Sequence, residues 1–195
     1  MKFRNSWNYL YFRKMINNNN EFKNIYAKYA VFVYNISLNY LQNTEDAEEI
    51  TQDVFIQLND SLSKFKYNST LKTWIYRITI NKCLDFIKYK NSQKRWYIYG
   101  NKSNNEKEIL NFSNFDHPGI ILENQENAAV LFQIINQLSE NQKTAFILSK
   151  VEELNNSEIA AIMELSISSV ESLIFRAKVN LREKLSVLFK NYRKK

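Results

Sequence analysis

A chain of 195 residues has room for one or two domains, and 45% hydrophobic residues with 14% aromatic supply real cores, which excludes a disordered chain. Two glycines and one proline are too few for β-hairpins or glycine-rich phosphate loops, so the expected fold class is all-α. The formal net charge of +7 favours a polyanionic partner, nucleic acid or an anionic membrane surface, while a single cysteine, Cys83, excludes an internal disulfide and a multi-cysteine metal site.

Near the N-terminus, Trp7, Tyr9, Leu10, Tyr11 and Phe12 are interrupted by Asn5, Asn8, Arg13 and Lys14, so neither a signal-peptide core nor a membrane span can be drawn and a soluble, cytoplasmic protein is expected. Residues 1–20 close with the polar run Asn17 to Asn20 and read as an extension without an assigned role. The first domain, 21–95, begins with a core helix from Glu21 to Leu41, in which Phe22, Ile25, Tyr26, Tyr29 and Val33 recur at helical spacing, followed by Ile36 and Tyr40.

Asn43-Thr44-Glu45-Asp46 opens a second helix with a capping residue and first-turn acids. Its apolar face is Ala47, Ile50, Val54, Phe55, Leu58 and Leu62; the other face carries Glu45, Glu48, Glu49, Gln52 and Asp53. Complementation of the helix dipole accounts for Glu45, Asp46 and Glu48 but not for Gln52 and Asp53 further in, which point to a protein partner. A loop from Lys64 to Ser69 then holds two aromatics, Phe65 and Tyr67, outside the helical stripes.

Tyr67 to Arg95 combines helical pattern, aromatic residues and rising basic charge. Thr70 is placed as a cap; Leu71, Trp74, Ile75 and Ile78 form one apolar stripe, and Ile80, Cys83, Leu84 and Ile87 form a second, turned to the opposite side. Either the segment breaks near Thr79 to Asn81 or it is gripped from two sides there, and both readings give Asn81 an unusual environment. Lys82, Lys88, Lys90, Lys94 and Arg95 against Asp85 suit phosphate. The bland alternative is a core stripe with a solvated lysine-rich helix end.

Between Asn91 and Gly119 the periodicity fades, Asn and Ser accumulate, and both glycines and Pro118 occur, so 96–121 reads as a linker. Glu106, Glu108, Asp116, Glu123 and Glu126 make it and its exit unsuited to gripping DNA, and the isolated His117 has no second ligand residue nearby. No metal or cofactor is expected, and without paired carboxylates or a nucleophile and base the chain reads as no enzyme.

The second domain, 122–190, starts with Ala128, Leu131, Phe132, Ile135 and Leu138 as one face. Ser139-Glu140-Asn141-Gln142 reads as a capping box for a helix holding Ala145, Phe146, Leu148 and Val151, and Asn155 to Glu158 opens a short helix with Ile159, Ala160, Ile162 and Met163. After Glu164-Leu165-Ser166 comes a longer helix burying Val170, Leu173, Ile174, Ala177, Leu181 and Leu185. Short helix, turn and long helix, with small alanines at the contact, form the pattern of a helix-turn-helix. Its outward residues Ser168, Ser169, Glu171, Ser172, Phe175 and Arg176 face the major groove in that geometry, with Lys178, Arg182, Lys184, Lys190, Arg193, Lys194 and Lys195 as backbone contacts.

Taken together, these strings resemble the extracytoplasmic-function (ECF) group of the sigma-70 family of RNA polymerase sigma factors. Asp46-Ala47-Glu48-Glu49-Ile50-Thr51-Gln52-Asp53-Val54-Phe55 is similar to region 2.2, and Leu71-Lys72-Thr73-Trp74-Ile75-Tyr76-Arg77-Ile78-Thr79-Ile80-Asn81 with Asp85 to regions 2.3 and 2.4. Leu138, Ser139, Glu158-Ile159-Ala160-Ala161-Ile162-Met163, Ser169-Val170-Glu171-Ser172 and Arg176-Ala177 resemble region 4. The resemblance implies a non-catalytic protein that binds core RNA polymerase through Glu48, Glu49, Gln52 and Asp53. It implies minus-10 DNA contacts by Phe65, Tyr76, Asn81, Lys82 and Lys88, minus-35 contacts by Ser169, Glu171, Ser172, Phe175 and Arg176, and an anti-sigma protein as a further partner. Glu171 departs from the family, in which many relatives carry a basic residue, and the N-terminal extension lies outside the match. The alternative is a helix-turn-helix regulator acting without polymerase, which leaves the first domain's acidic face without a role; a membrane-binding scaffold lacks an uncommitted apolar face.

Overall fold

A computed structural model describes residues 20–65, 68–100 and 125–192, with side chains for 20–65, 68–93 and 130–186. Every regular element among these residues is an α-helix, and the chain falls into two compact units, 1–117 and 118–195. The N-terminal extension, Tyr67, residues 101–121 of the expected linker, His117 and the last three residues lie outside the described residues.

The first unit packs α1 (Asn20–Leu41), α2 (Thr44–Leu62) and α3 (Leu71–Gly100) against one another, each helix touching both others. Phe22, Ile25, Val33, Ile36, Leu38 and Tyr40 of α1 are buried, while Tyr26 and Tyr29 stand half-buried at the margin. Phe55 of α2 is fully buried and meets two α1 rings edge-on, Tyr26 at 4.8 Å and Phe22 at 6.2 Å between centroids. Burial pushes the Tyr26 phenol above its ordinary pKa. The α1–α2 turn is closed by Gln42 in the left-handed region (φ 56°), after which Asn43 caps α2 by accepting the Asp46 N–H at 2.9 Å.

The two apolar stripes of α3 are reconciled without a break. The helix is continuous, and Ile75, Tyr76, Ile78, Thr79, Ile80 and Cys83 are buried on a band wide enough to meet α1 on one side and α2 on the other. Thr79, the polar member of that band, donates its hydroxyl to the Ile75 carbonyl at 2.8 Å, so its own donor is met. Asn81 stands exposed on the opposite side. The helix also runs on to Gly100, into the stretch read as linker, because loss of apolar periodicity marks where α3 leaves the core and not where it ends.

The second unit contains α4 (Gln125–Ile135), α5 (Glu140–Lys150), α6 (Asn156–Met163) and α7 (Ile167–Tyr192), with α4, α5 and α6 all packed on α7. Ser139 occupies the N-cap of α5 in extended conformation, but its side chain makes no capping bond, so the expected box is absent there. The box at α6 is present: Asn155 Oδ1 accepts the Ser157 and Glu158 N–H groups, both at 3.0 Å, and Glu158 takes the Asn155 N–H at 3.0 Å. Val170, Ile174, Ala177 and Leu181 of α7 are buried, and fully buried Ile159 with Ala160 of α6 faces the same core.

Candidate nucleic-acid and protein interfaces

On α2, seven residues turn the helix by two turns less about 20°. Asp46 and Asp53 therefore share one edge of the buried face, whereas Glu45, Glu48, Glu49 and Gln52 spread over the outward arc. Glu45 and Glu49 are exposed and Glu48, Gln52 and Asp53 half-buried, four of the five lying on the outward arc. Asp53 is the exception at the edge. Its burial pushes the carboxyl above the ordinary carboxylate range, and the nearby charge of Lys82 on α3 opposes this. Asp46 is not available as a surface acid: it is buried, and its carboxylate pairs with the Lys90 ammonium of α3.

On α3 the same two-turn repeat aligns Trp74, Asn81 and Lys88 along one stripe of about 21 Å. Thr70 caps the start, accepting the Thr73 N–H at 3.1 Å, and Phe65 of the preceding loop stacks on Trp74 with centroids 4.8 Å apart and planes inclined by 26°. The result is an aromatic platform at one end, an exposed amide in the middle and an exposed cation at the far end. Unpaired bases stack on such platforms and phosphates follow the cation.

Tyr76 is not part of this stripe. It is 3% exposed, and Phe32 of α1 packs against it edge-on at 4.5 Å with the Lys72 ammonium above both rings. The expectation that Tyr76 meets a base is corrected on that ground: an unpaired base cannot reach a ring already enclosed by its own core. Lys82 is half-buried beside Asp53, between the stripe and the acid edge.

In the second unit Glu164 ends α6 in the left-handed region (φ 57°, ψ 41°), and Ser166 opens α7 by accepting the Ser169 N–H at 3.2 Å. The Ser166 hydroxyl also lies 2.8 Å from that of Ser169 and 3.1 Å from that of Ser168. Ser169 is therefore a half-buried partner of the turn and less open than Ser172. Glu171, Ser172, Phe175 and Arg176 are exposed together on the outer face of α7, Phe175 to 68%. Glu171 is steadied by Asn156 of α6, whose Nδ2 donates to it at 3.3 Å.

Lys184 had the look of a phosphate contact, but its Nζ donates to Gln137 at 2.7 Å in the turn after α4, and Asn180 one turn earlier donates to Gln142 of α5 at 3.0 Å. These two bonds tie α7 to the turn after α4 and to α5. Sequence reasoning missed Asn156 and Ser166 as supports of the outer face of α7. For Ser166 the signal was present, a serine immediately before a periodic run. Leu165 and Ile167, 37% and 49% exposed, extend the apolar part of the face. Among the described residues no three His, Cys, Asp or Glu side chains gather as a metal site, and no helix is long and apolar enough to cross a membrane.

Residues 25–93 match the family described as Sigma-70 region 2, and residues 129–181 match Sigma-70, region 4. The chain is 27% identical to the RNA polymerase sigma-H factor of Pseudomonas aeruginosa, over 84% of this chain and 85% of that protein. It is also 27% identical to the ECF RNA polymerase sigma factor SigW of Bacillus subtilis, over 84% and 88% respectively. Among solved structures, the sigma factor RpoE from Bartonella quintana, determined with the anti-sigma factor NepR, shares the fold with a TM-score of 0.56 and 21% identity, over 87% of this chain and 99% of that one.

Proposed function

Because the chain belongs to the extracytoplasmic-function group of the sigma-70 family of RNA polymerase sigma factors, we infer that it binds core RNA polymerase and directs transcription initiation at promoters carrying minus-10 and minus-35 elements. The observation that carries this reading is the occurrence, in this order on one chain, of a region 2 unit and a region 4 unit, each with an exposed polar surface. A regulator acting without polymerase needs only the second.

In this reading Glu48, Glu49 and Gln52, with Asp53 at their edge, dock on a basic surface of the polymerase. Phe65 on Trp74, with Asn81, Lys82 and Lys88, holds the melted minus-10 strand. Ser172, Phe175 and Arg176 read the minus-35 duplex in its major groove, with Glu171 accepting from a cytosine amino group and Ser169 contributing from the turn. The chain performs no chemistry itself; the polymerase does. It works where polymerase works, in the cytoplasm, and is held in reserve by an anti-sigma protein, as RpoE is bound by NepR in its complex.

The test is retention of the purified chain by bacterial core RNA polymerase, followed by transcription from a random-promoter library. Binding with two enriched sequence elements supports the reading. Absence of polymerase binding by inhibitor-free protein, with binding to a duplex palindrome as a dimer, sinks it in favour of a conventional regulator.

A further inference from the structure

The packing of α3 changes at Cys83. Before it lies the buried band; beyond it, from Leu84 to Gln93, no residue of α3 is fully buried. The second half of the helix, which carries Lys88 and follows Asn81, is thus held by fewer apolar contacts than the first. At this place a charge pair crosses between helices. Asp46, 7% exposed at the start of α2, takes the ammonium of Lys90, which is 44 residues further along the chain and also lies 4.9 Å above the Phe86 ring. Lys90 is thereby fixed from two sides. Lys82, about two turns before Lys90, acts on Asp53, about two turns after Asp46, the order expected of antiparallel neighbours.

We propose that Asp46 is a positioning residue for promoter DNA: by holding Lys90 it fixes how the second half of α3 is presented. Neither residue belongs to the polymerase-docking arc or to the stripe of Trp74, Asn81 and Lys88. The carboxylate acts through the helix and does not touch the DNA. An acid that served only the α2 dipole would have no need of a partner on α3 and would remain in solvent. The inference rests on the sigma reading above.

The experiment uses the full chain with bacterial core RNA polymerase and a fork-junction DNA built from a promoter that the wild-type holoenzyme selects from the random library. Affinity of the chain for polymerase and of holoenzyme for the fork DNA is measured across a salt series for Asp46→Asn, Lys90→Met, Lys90→Arg and the exchange Asp46→Lys with Lys90→Asp. Asp46→Asn and Lys90→Met are each expected to weaken fork binding by about tenfold, with polymerase affinity unchanged and the salt slope unaltered. Lys90→Arg and the exchange recover most of the loss. If Asp46→Asn instead tightens fork binding and steepens the salt slope by about one, Lys90 is a phosphate ligand restrained by Asp46 and the proposal is overturned. Unchanged fork binding, a parallel loss of polymerase affinity, or failure of both rescues also overturns it. Wild-type chain that binds no polymerase sinks the sigma reading and this inference together; wild-type binding with indifferent variants sinks this inference alone.

Discussion

Replacing Asn155 by Ala probes whether α6 holds the reading helix in place. α6 has eight residues, too few to persist without tertiary support, and its first turn leaves four N–H groups without helical partners. Asn155 Oδ1 accepts two of them at 3.0 Å, and the Glu158 carboxylate returns the bond to the Asn155 N–H. Removing the acceptor is expected to cost about 1–2 kcal/mol. That lowers the melting temperature of a domain this size by about 5–10 °C. Because Asn156 at the same turn steadies Glu171, transcription that depends on the minus-35 element should fall further than transcription from a promoter whose minus-35 element has been scrambled. Differential scanning calorimetry of the full chain and run-off transcription on the two templates read the two effects. Asn155→Asp keeps the acceptor and adds charge at a helix N-terminus, so it should behave like wild type. If Asn155→Asp loses as much as Asn155→Ala, or if Asn155→Ala melts with wild type, the capping argument is wrong.

Three further outcomes follow from the surfaces. Asp53 is held above the ordinary carboxylate range by burial, so its native state binds more protons than its unfolded state, and the stability it takes away is absent in acid and grows as pH rises through its native pKa; Asp53→Asn should melt above wild type at pH 7, the gap closing as pH falls toward 4, and a gap constant with pH would refute the burial. Asn81→Ala should weaken open-complex formation and leave polymerase affinity intact, while Glu49→Lys should do the reverse; equal loss of both properties in either variant removes that residue from its assigned surface. Glu164→Gly relieves a left-handed residue at the helix-turn-helix corner and should raise stability by about 0.5–1 kcal/mol in urea unfolding, against which an unchanged midpoint would count.

What could be read from the residues was whatever is local. Helical spacing located the cores of α1 and α2 and part of that of α3, where Tyr76 and Thr79 are buried outside the expected stripes, and the Asn43 and Asn155 caps form as their short-range patterns require. Contacts distant along the chain were illegible. Nothing near Asp46 announces Lys90, and the dipole account of a first-turn acid was sufficient until the pair was seen. Tyr76 was assigned to DNA by resemblance alone, yet Phe32 of another helix packs against it. Lys184 looked like one more basic tail residue until Gln137 took its ammonium. The end of α3 was missed for a different reason: from Lys88 to Gln93 every residue is exposed, so no buried period marks the helix there.

In the reading proposed above, the exposed Phe175 gives the free molecule a burden that duplex binding removes. With Phe175 at 68%, Ile167 at 49% and Val179 at 38%, the outer side of α7 offers water an apolar strip amid its polar residues. Such a strip is neutral when a duplex covers it and adhesive when nothing does. Charge of +7 disperses the chain at low ionic strength, but added salt screens that repulsion and leaves the strip in command. Concentrated protein stored in high salt should therefore self-associate through this side, so duplex DNA would act during handling as a colloidal stabiliser as well as a template.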